Sequence, residues 1–447
     1  MSDSTSGYEF IIVGGGAMGV STAFHLSHHS KSILVLDHQF LGAASRDVNK
    51  IVRFDYTDSF YMNLAREARS VWTSSQLFKD HFHPTGRVVA YDDESHLSSI
   101  KANHKLNGLS VLEDLSPADA AQKLGGLINC PNRPGQNATF NPFDAWVNFP
   151  ECVAAMQDES TSRGVQFKND LVEKLSLDIH GSCTGVVTTD GVIPCSRKVI
   201  VAAGAWTEKL LATNRSLQSR SDTGTKRLLE RRRSWLPNIS VLSRFASQTL
   251  GRRDAANARL RRYPVATGVC VVHFALHGEE LEWFNRNPIF SYLGHGEILP
   301  PTDKGILKMT VVKSFTNMNP DLQMSVPLEA CGKEVPKALH EEVQNFVDMV
   351  CPTLSNRERV IRLYWDGITA TQDPIIDTLP NDVVLATGGS YHMAKFLPII
   401  GKFVVAEING LLADPQKSRW TISNARSAEL GNQPYLMPDR DLHDLSF

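Results

Sequence analysis

Phe10-Ile-Ile-Val-Gly-Gly-Gly-Ala-Met-Gly19 decides the fold. The apolar run Phe10 to Val13 reads as a short buried strand. Ala17 to His28, with Val20, Ala23 and Phe24 on one face, reads as the helix that follows it. Between them Gly14, Gly16 and Gly19 fill the three glycine places of G-x-G-x-x-G. The first permits the tight turn, the second lets a pyrophosphate approach the backbone, and the third lets helix pack on strand. The backbone of Ala17 and Met18 opens that helix, whose free N–H groups and positive dipole end suit an anion. Ile33 to Leu36 reads as the next strand, and Asp37 at its end is placed to accept a hydrogen bond from a ribose hydroxyl. Strand, glycine turn, helix, strand and acid in this order predict a dinucleotide site. The fingerprint alone fits NAD or FAD. With no second G-x-G-x-x-G in the chain, a flavin reduced by a nicotinamide cofactor is disfavoured.

Working outward, helical spacing predicts helices over Ser59 to Leu77, Phe149 to Arg163, Pro336 to Val350 and Leu397 to Leu412. Strands are predicted over Gly86 to Tyr91, Val165 to Phe167, Lys198 to Ala202, Gly268 to Leu276, Pro288 to Leu293, Ile306 to Val312, Arg359 to Trp365 and Val383 to Thr387. Residues 215–262 break the pattern: Arg231-Arg-Arg233, Arg252-Arg253 and Arg261-Arg262 face only Asp222, Glu230 and Asp254 as acids. No apolar period runs through the stretch, which reads as an exposed, partly disordered basic insertion.

At 447 residues the chain is long for one core. Lys and Arg (46) nearly balance Asp and Glu (48), so no global field favours nucleic acid or acidic membranes. The seven cysteines show no C-x-x-C spacing and read as reduced and intracellular. The start carries no signal-peptide pattern and the end no SKL-type address, so the expectation is a cytoplasmic protein, monomeric, with neither nucleic-acid nor membrane partners. No metal-ligand spacing and no G-x-S-x-G nucleophile elbow is present.

Four segments taken together resemble the flavin-dependent amine oxidases of the sarcosine oxidase type, with the fructosyl amino acid oxidases (amadoriases) and the saccharopine and pipecolate oxidase-like enzymes. They are Val13 to Gly19 with Asp37; Asp47-Val-Asn-Lys-Ile-Val-Arg53; Arg362-Leu-Tyr-Trp-Asp366 through Asp377; and Gly388-Gly-Ser-Tyr-His-Met-Ala-Lys-Phe-Leu-Pro398 with Gly401-Lys402. The resemblance covers most of the chain outside 215–262. It implies an α/β fold: a discontinuous Rossmann-like FAD-binding domain (1–84, 147–214 and 356–447) and a second, mixed-sheet substrate domain (85–146 and 263–355).

By position, the resemblance puts Lys308 over the flavin ring, where a fixed cation would stabilise charge developing on O2. It gives Arg53 and Lys395 to the substrate carboxylate, an arginine fork and a second point charge. Asn49, Lys50, Gly204, Trp206, Gly389, Met393 and Lys395 join the glycine turn and Asp37 around FAD. The helix start near Phe396 to Ile399 is expected to face the ring. Tyr364 stands where the family commonly carries the cysteine that links FAD covalently, so FAD is expected to be non-covalent, with Tyr364 lining the site. Ile368 replaces a polar residue typical of amadoriases, which argues against fructosyl amino acids as substrates. The activity implied is oxidation of the C–N bond of an amino acid or secondary amine, with O2 as acceptor, giving an imine and H2O2, in the setting of fungal secondary metabolism. Two alternatives stay open: a flavin dehydrogenase with another acceptor, and a catalytically silent flavin- or partner-binding protein.

Overall fold

The computed structural model describes residues 7–91, 94–108, 112–130, 137–213, 264–329, 335–427 and 438–445. The basic stretch 215–262 lies outside the described residues. Strand Tyr8–Val13 sits between Ile33–Leu36 and the end of Gly191–Val201, parallel to both. Gln166–Lys168 and Val383–Thr387 extend the parallel sheet on either side, and Ile375–Thr378 closes one edge antiparallel. Both faces are buried, which is why these strands read as unbroken apolar runs rather than alternating ones. Phe10 and Ile12 join helices Ala17–Leu26, Phe149–Ser162 and Ile400–Ile408 in one core; Ile11 and Val13 join Leu210 and Leu211 in another. The first half of Gly191–Val201 leaves this sheet to form an antiparallel meander with Val172–Leu177 and Cys183–Thr188.

The predicted helix Leu397 to Leu412 is instead a 3-10 turn, Met393–Phe396, followed by helix Ile400–Ile408. The cause is visible. The Ser21 hydroxyl donates to the Leu397 carbonyl at 2.6 Å and accepts from the Gly401 amide at 2.9 Å. Leu397 and Gly401 are the pair that would have bonded to each other, so a side chain inserted into the helical ladder delays the helix and ties its start to Ala17–Leu26.

A second sheet of eight strands runs in the order Val360–Ile368, Val265–Ala275, Ile306–Phe315, Gly296–Leu299, Ile289–Tyr292, Arg87–Tyr91, Asn137–Asn141, Glu113–Leu115. Its pairings are antiparallel except that between Arg87–Tyr91 and Ile289–Tyr292. The sequence assigned the chain after 356 to the cofactor domain. Val360–Ile368 is instead hydrogen-bonded along Val265–Ala275, so the chain crosses back only after it. Strand alternation splits the sheet: Leu307, Met309 and Val311 join the core with helix Lys337–Val350, while Lys308, Thr310 and Val312 line a cavity on the other face. A small sheet of Lys50–Val52, Ala145–Val147 and Phe82–His83 joins the two halves. Among the described residues no helix is long and apolar enough to cross a membrane.

Candidate active site

A cavity of about 570 Å³ opens at the carboxyl ends of the parallel strands, within the usual range for small-molecule sites. The glycine turn forms one wall. Gly14 has φ +103°, and a side chain there would put Cβ 2.4 Å from the Ala202 carbonyl oxygen. At Gly19 a Cβ would lie 1.8 Å from the oxygen of Gly14. No side chain caps the helix at Gly16, no acid occupies its first turn, and Ser45 Oγ accepts the Ala17 amide at 3.0 Å. Asp37 lines the cavity beside Gly15, its Oδ1 taking the Gln39 amide at 3.0 Å. The floor beyond carries Gly204 and Trp206, whose ring stacks on Phe40 at 4.6 Å. Trp365, Asp366, Gly389 and Met393 form the far end. A helix start without a side-chain cap of its own, an acid at the second strand and a mostly apolar cleft fit a dinucleotide.

A smaller cavity of about 170 Å³ adjoins it; Ala44, Lys50, Tyr391 and Ala394 line both. Lys308 is 4% exposed, and its Nζ donates to Asp47 Oδ2 at 2.5 Å and to the Asn49 carbonyl at 2.9 Å. Lys50 pairs with the same carboxylate oxygen at 2.7 Å. Burial would raise the Asp47 pKa, but the charges of Lys308 and Lys50 outweigh it and hold the carboxyl well below its usual range. Burial presses Lys308 below the ordinary lysine value, with Asp47 opposing.

Arg53 and Lys395 also line the smaller cavity, and neither has a carboxylate within 4 Å among the described residues. Arg53 Nη1 donates to the Asp55 carbonyl and its guanidinium lies 4.3 Å above the Tyr56 ring. Lys395, 4% exposed, donates to the His392 carbonyl at 2.8 Å. Burial first, and then the Arg53 charge, push its pKa well down. A buried lysine beside a half-buried arginine, neither with a carboxylate partner among the described residues, makes a seat for an anion.

Most residues singled out in the sequence line one cavity or the other, with clear exceptions. Gly19 and Asn49 line neither: the first is a packing contact, and the second acts through its carbonyl on Lys308. Lys395 and Tyr364 line the smaller cavity only, and Ile368 lines neither. Met393, Ala394 and Lys395 of the turn, not the helix start, meet the cavities; Phe396, Leu397 and Ile399 are buried in the core with Ala17–Leu26.

Other participants were missed. Ser390 and Tyr391 both adopt left-handed backbone (φ 47° and 58°), a strain of roughly 1–3 kcal/mol each. It is held by the Tyr391 amide on Asp366 Oδ2 and the Tyr391 hydroxyl on the Thr267 carbonyl, both 2.8 Å. Burial raises the Asp366 pKa despite the amides of Tyr391 and Gly367 that it accepts. Beneath the smaller cavity Arg87 bridges Asp55 and Asp144, each at 2.7 Å, and Asp55 also takes His104 (3.1 Å) and Asn141 (2.7 Å). Only Asp47, three residues before Lys50 in a quoted segment, left a signal that spacing could have found.

A family profile described as FAD dependent oxidoreductase (DAO) matches residues 9–228. The chain is 24% identical over 444 residues to the L-saccharopine oxidase of Schizosaccharomyces pombe, spanning 92% of each chain. It is 22% identical to the amino acid oxidase imqH of Aspergillus flavus, across 88% of this chain and 91% of that one. Over 219 residues, 47% of this chain and 54% of the other, it is 35% identical to mouse peroxisomal sarcosine oxidase. The fold matches the crystal structure of the fructosamine oxidase Amadoriase II of Aspergillus fumigatus with TM-score 0.77 and 23% identity, over 99% of this chain and 97% of that one. In sequence the chain is similar to the DAO family of FAD-dependent oxidoreductases through its glycine turn, and in fold it matches the fructosamine oxidase structure along its length.

Proposed function

We propose that the chain holds FAD non-covalently in the larger cavity and oxidises the C–N bond of an amino acid or secondary amine seated in the smaller one, with O2 as the acceptor. The observation that carries this is the pair of a half-buried Arg53 and a buried Lys395, neither with a carboxylate partner among the described residues, in a cavity that adjoins the cofactor cleft. Relatives named as oxidases of saccharopine, of sarcosine and of amino acids support the same chemistry. FAD, when bound, supplies the acceptor for the two electrons and the hydrogen that leave the carbon, which becomes an imine carbon.

The chain's own residues do the rest. Arg53 and Lys395 bind the substrate carboxylate and so fix where the amine carbon lies. Lys308, anchored by Asp47 and Asn49, presents a fixed positive charge in the smaller cavity, where oxygen would take up electrons and leave as H2O2. No described cysteine lines either cavity, which supports non-covalent FAD; Cys331 lies outside the described residues. A second reading, transfer to an acceptor other than oxygen, is favoured by the Asp47 carboxylate that offsets the Lys308 charge. An oxygen electrode separates the two.

Calorimetric titration with a plain carboxylate, heptanoate, tests the anion seat. Arg53→Gln is expected to weaken binding about 10- to 100-fold, the worth of charged hydrogen bonds, with FAD still bound. Equal affinity in the variant would remove the basis of the reading.

A further inference from the structure

The smaller cavity holds a negative charge that the reading above leaves without a task. Glu297 lines it, and among the described residues its carboxylate forms no ion pair. Its hydrogen bond is a long one, from Ser291 Oγ to Oε1 at 3.3 Å, and Ser291 in turn accepts from Arg87 Nη1 at 3.4 Å. The other carboxylates of the cavity are engaged: Asp47 by Lys308 and Lys50, Asp55 by Arg87.

Sheet register places Glu297 on the wall. It stands opposite Ser291 on one neighbouring strand and Thr310 on the other, and Lys308 is the diagonal neighbour, about 7 Å away by the geometry of such pairs. Both Lys308 and Lys395 feel its charge. Glu297 is therefore within one substrate length of the anion seat without being part of it.

A carboxylate beside the reacting amine would hold that amine protonated, and an ammonium has no lone pair to assist departure of the hydride. Glu297 thus suits a different group. Resting on the proposed amine-oxidase reading, we infer that Glu297 receives a second, non-reacting cation, so that the substrate is an amino acid carrying a distal ammonium or guanidinium. Its carboxylate lies on Arg53 and Lys395, its reacting carbon at the junction of the cavities, and its distal charge on Glu297. The discrimination is a difference of affinities: a neutral chain end leaves Glu297 buried by ligand and unpaired.

Two probes of equal length separate the claims by calorimetry on the FAD-loaded protein. Both 6-aminohexanoate and heptanoate carry the carboxylate, neither has an α-amine, and they differ only in a terminal ammonium or methyl. The wild type is expected to bind 6-aminohexanoate about tenfold or more tightly, the size of one charge-assisted hydrogen bond. Glu297→Gln should erase that gap, weakening 6-aminohexanoate while heptanoate binds as tightly as before or more so. Glu297→Lys should turn the preference toward heptanedioate. Equal binding of the two probes by the wild type, or a gap that survives Glu297→Gln, overturns the assignment of Glu297 and leaves the anion seat standing. Failure of the wild type to bind heptanoate at all overturns the anion seat and this inference with it.

Discussion

Arg87→Met is expected to destabilise the protein by about 3–5 kcal/mol, the usual consequence of removing one partner from a buried ion pair. The Arg87 side chain is 3% exposed, and its carboxylate partners Asp55 and Asp144 are 2% and 0% exposed. Without the guanidinium, two carboxylates remain in the interior beside one histidine and one asparagine. Burial and the neighbouring Asp55 charge already raise the Asp144 pKa, whereas His104, Arg87 and Asn141 keep Asp55 low despite its burial. The loss arises from stranded charge rather than from lost attraction. A triple variant that also carries Asp55→Asn and Asp144→Asn should therefore recover much of the stability. Urea unfolding of the three proteins at matched FAD concentration checks this, since a bound cofactor itself shifts the midpoint. An Arg87→Met protein as stable as the wild type would contradict the account of this network.

Lys308→Met is expected to slow reoxidation of the reduced protein by oxygen about 10²–10³-fold, the size associated with removing one fixed donor to developing charge. Reduction by substrate should change far less, because the proposed function gives the substrate carboxylate to Arg53 and Lys395. Stopped-flow measurement of the two half-reactions distinguishes these effects. A matching pH dependence follows. In the proposed role the working form of Lys308 is the cation, so reoxidation is expected to be fastest below its pKa and to fall as pH rises through it. Burial lowers that pKa and the Asp47 charge raises it. Asp47→Asn removes the raising charge, and the fall should move to lower pH than in the wild type. A fall that stays put, or moves up, would mean Lys308 is not the group that titrates.

The glycine turn was legible in the sequence because its constraints are local. Gly14 and Gly19 are fixed by backbone atoms a few residues away or on the adjoining strand, and no side chain but hydrogen fits. The strands of the cofactor sheet were legible for the same kind of reason, being short apolar runs buried on both faces. What escaped depends on residues far apart in the chain. Asp47 meets Lys308 across 261 positions, and Arg87 meets Asp144 across 57. Nothing in the neighbourhood of either residue announces its partner. The split between the turn Met393–Phe396 and the helix after it depends on Ser21, more than 370 residues earlier. Likewise, the apolar pattern of Val360–Ile368 says strand but not which sheet, and only its register with Val265–Ala275 assigns it to the second domain. Glu297 gave no sign at all, because a carboxylate on an alternating strand reads as a solvent-facing residue until the opposite wall is known.

The visible spectrum of the purified protein before and after acid precipitation tests the central claim, that the larger cavity holds FAD without a covalent bond. The account predicts a yellow protein whose flavin absorption passes wholly into the supernatant. A colourless protein that added FAD leaves unchanged would contradict it, and colour retained in the pellet would contradict the non-covalent part.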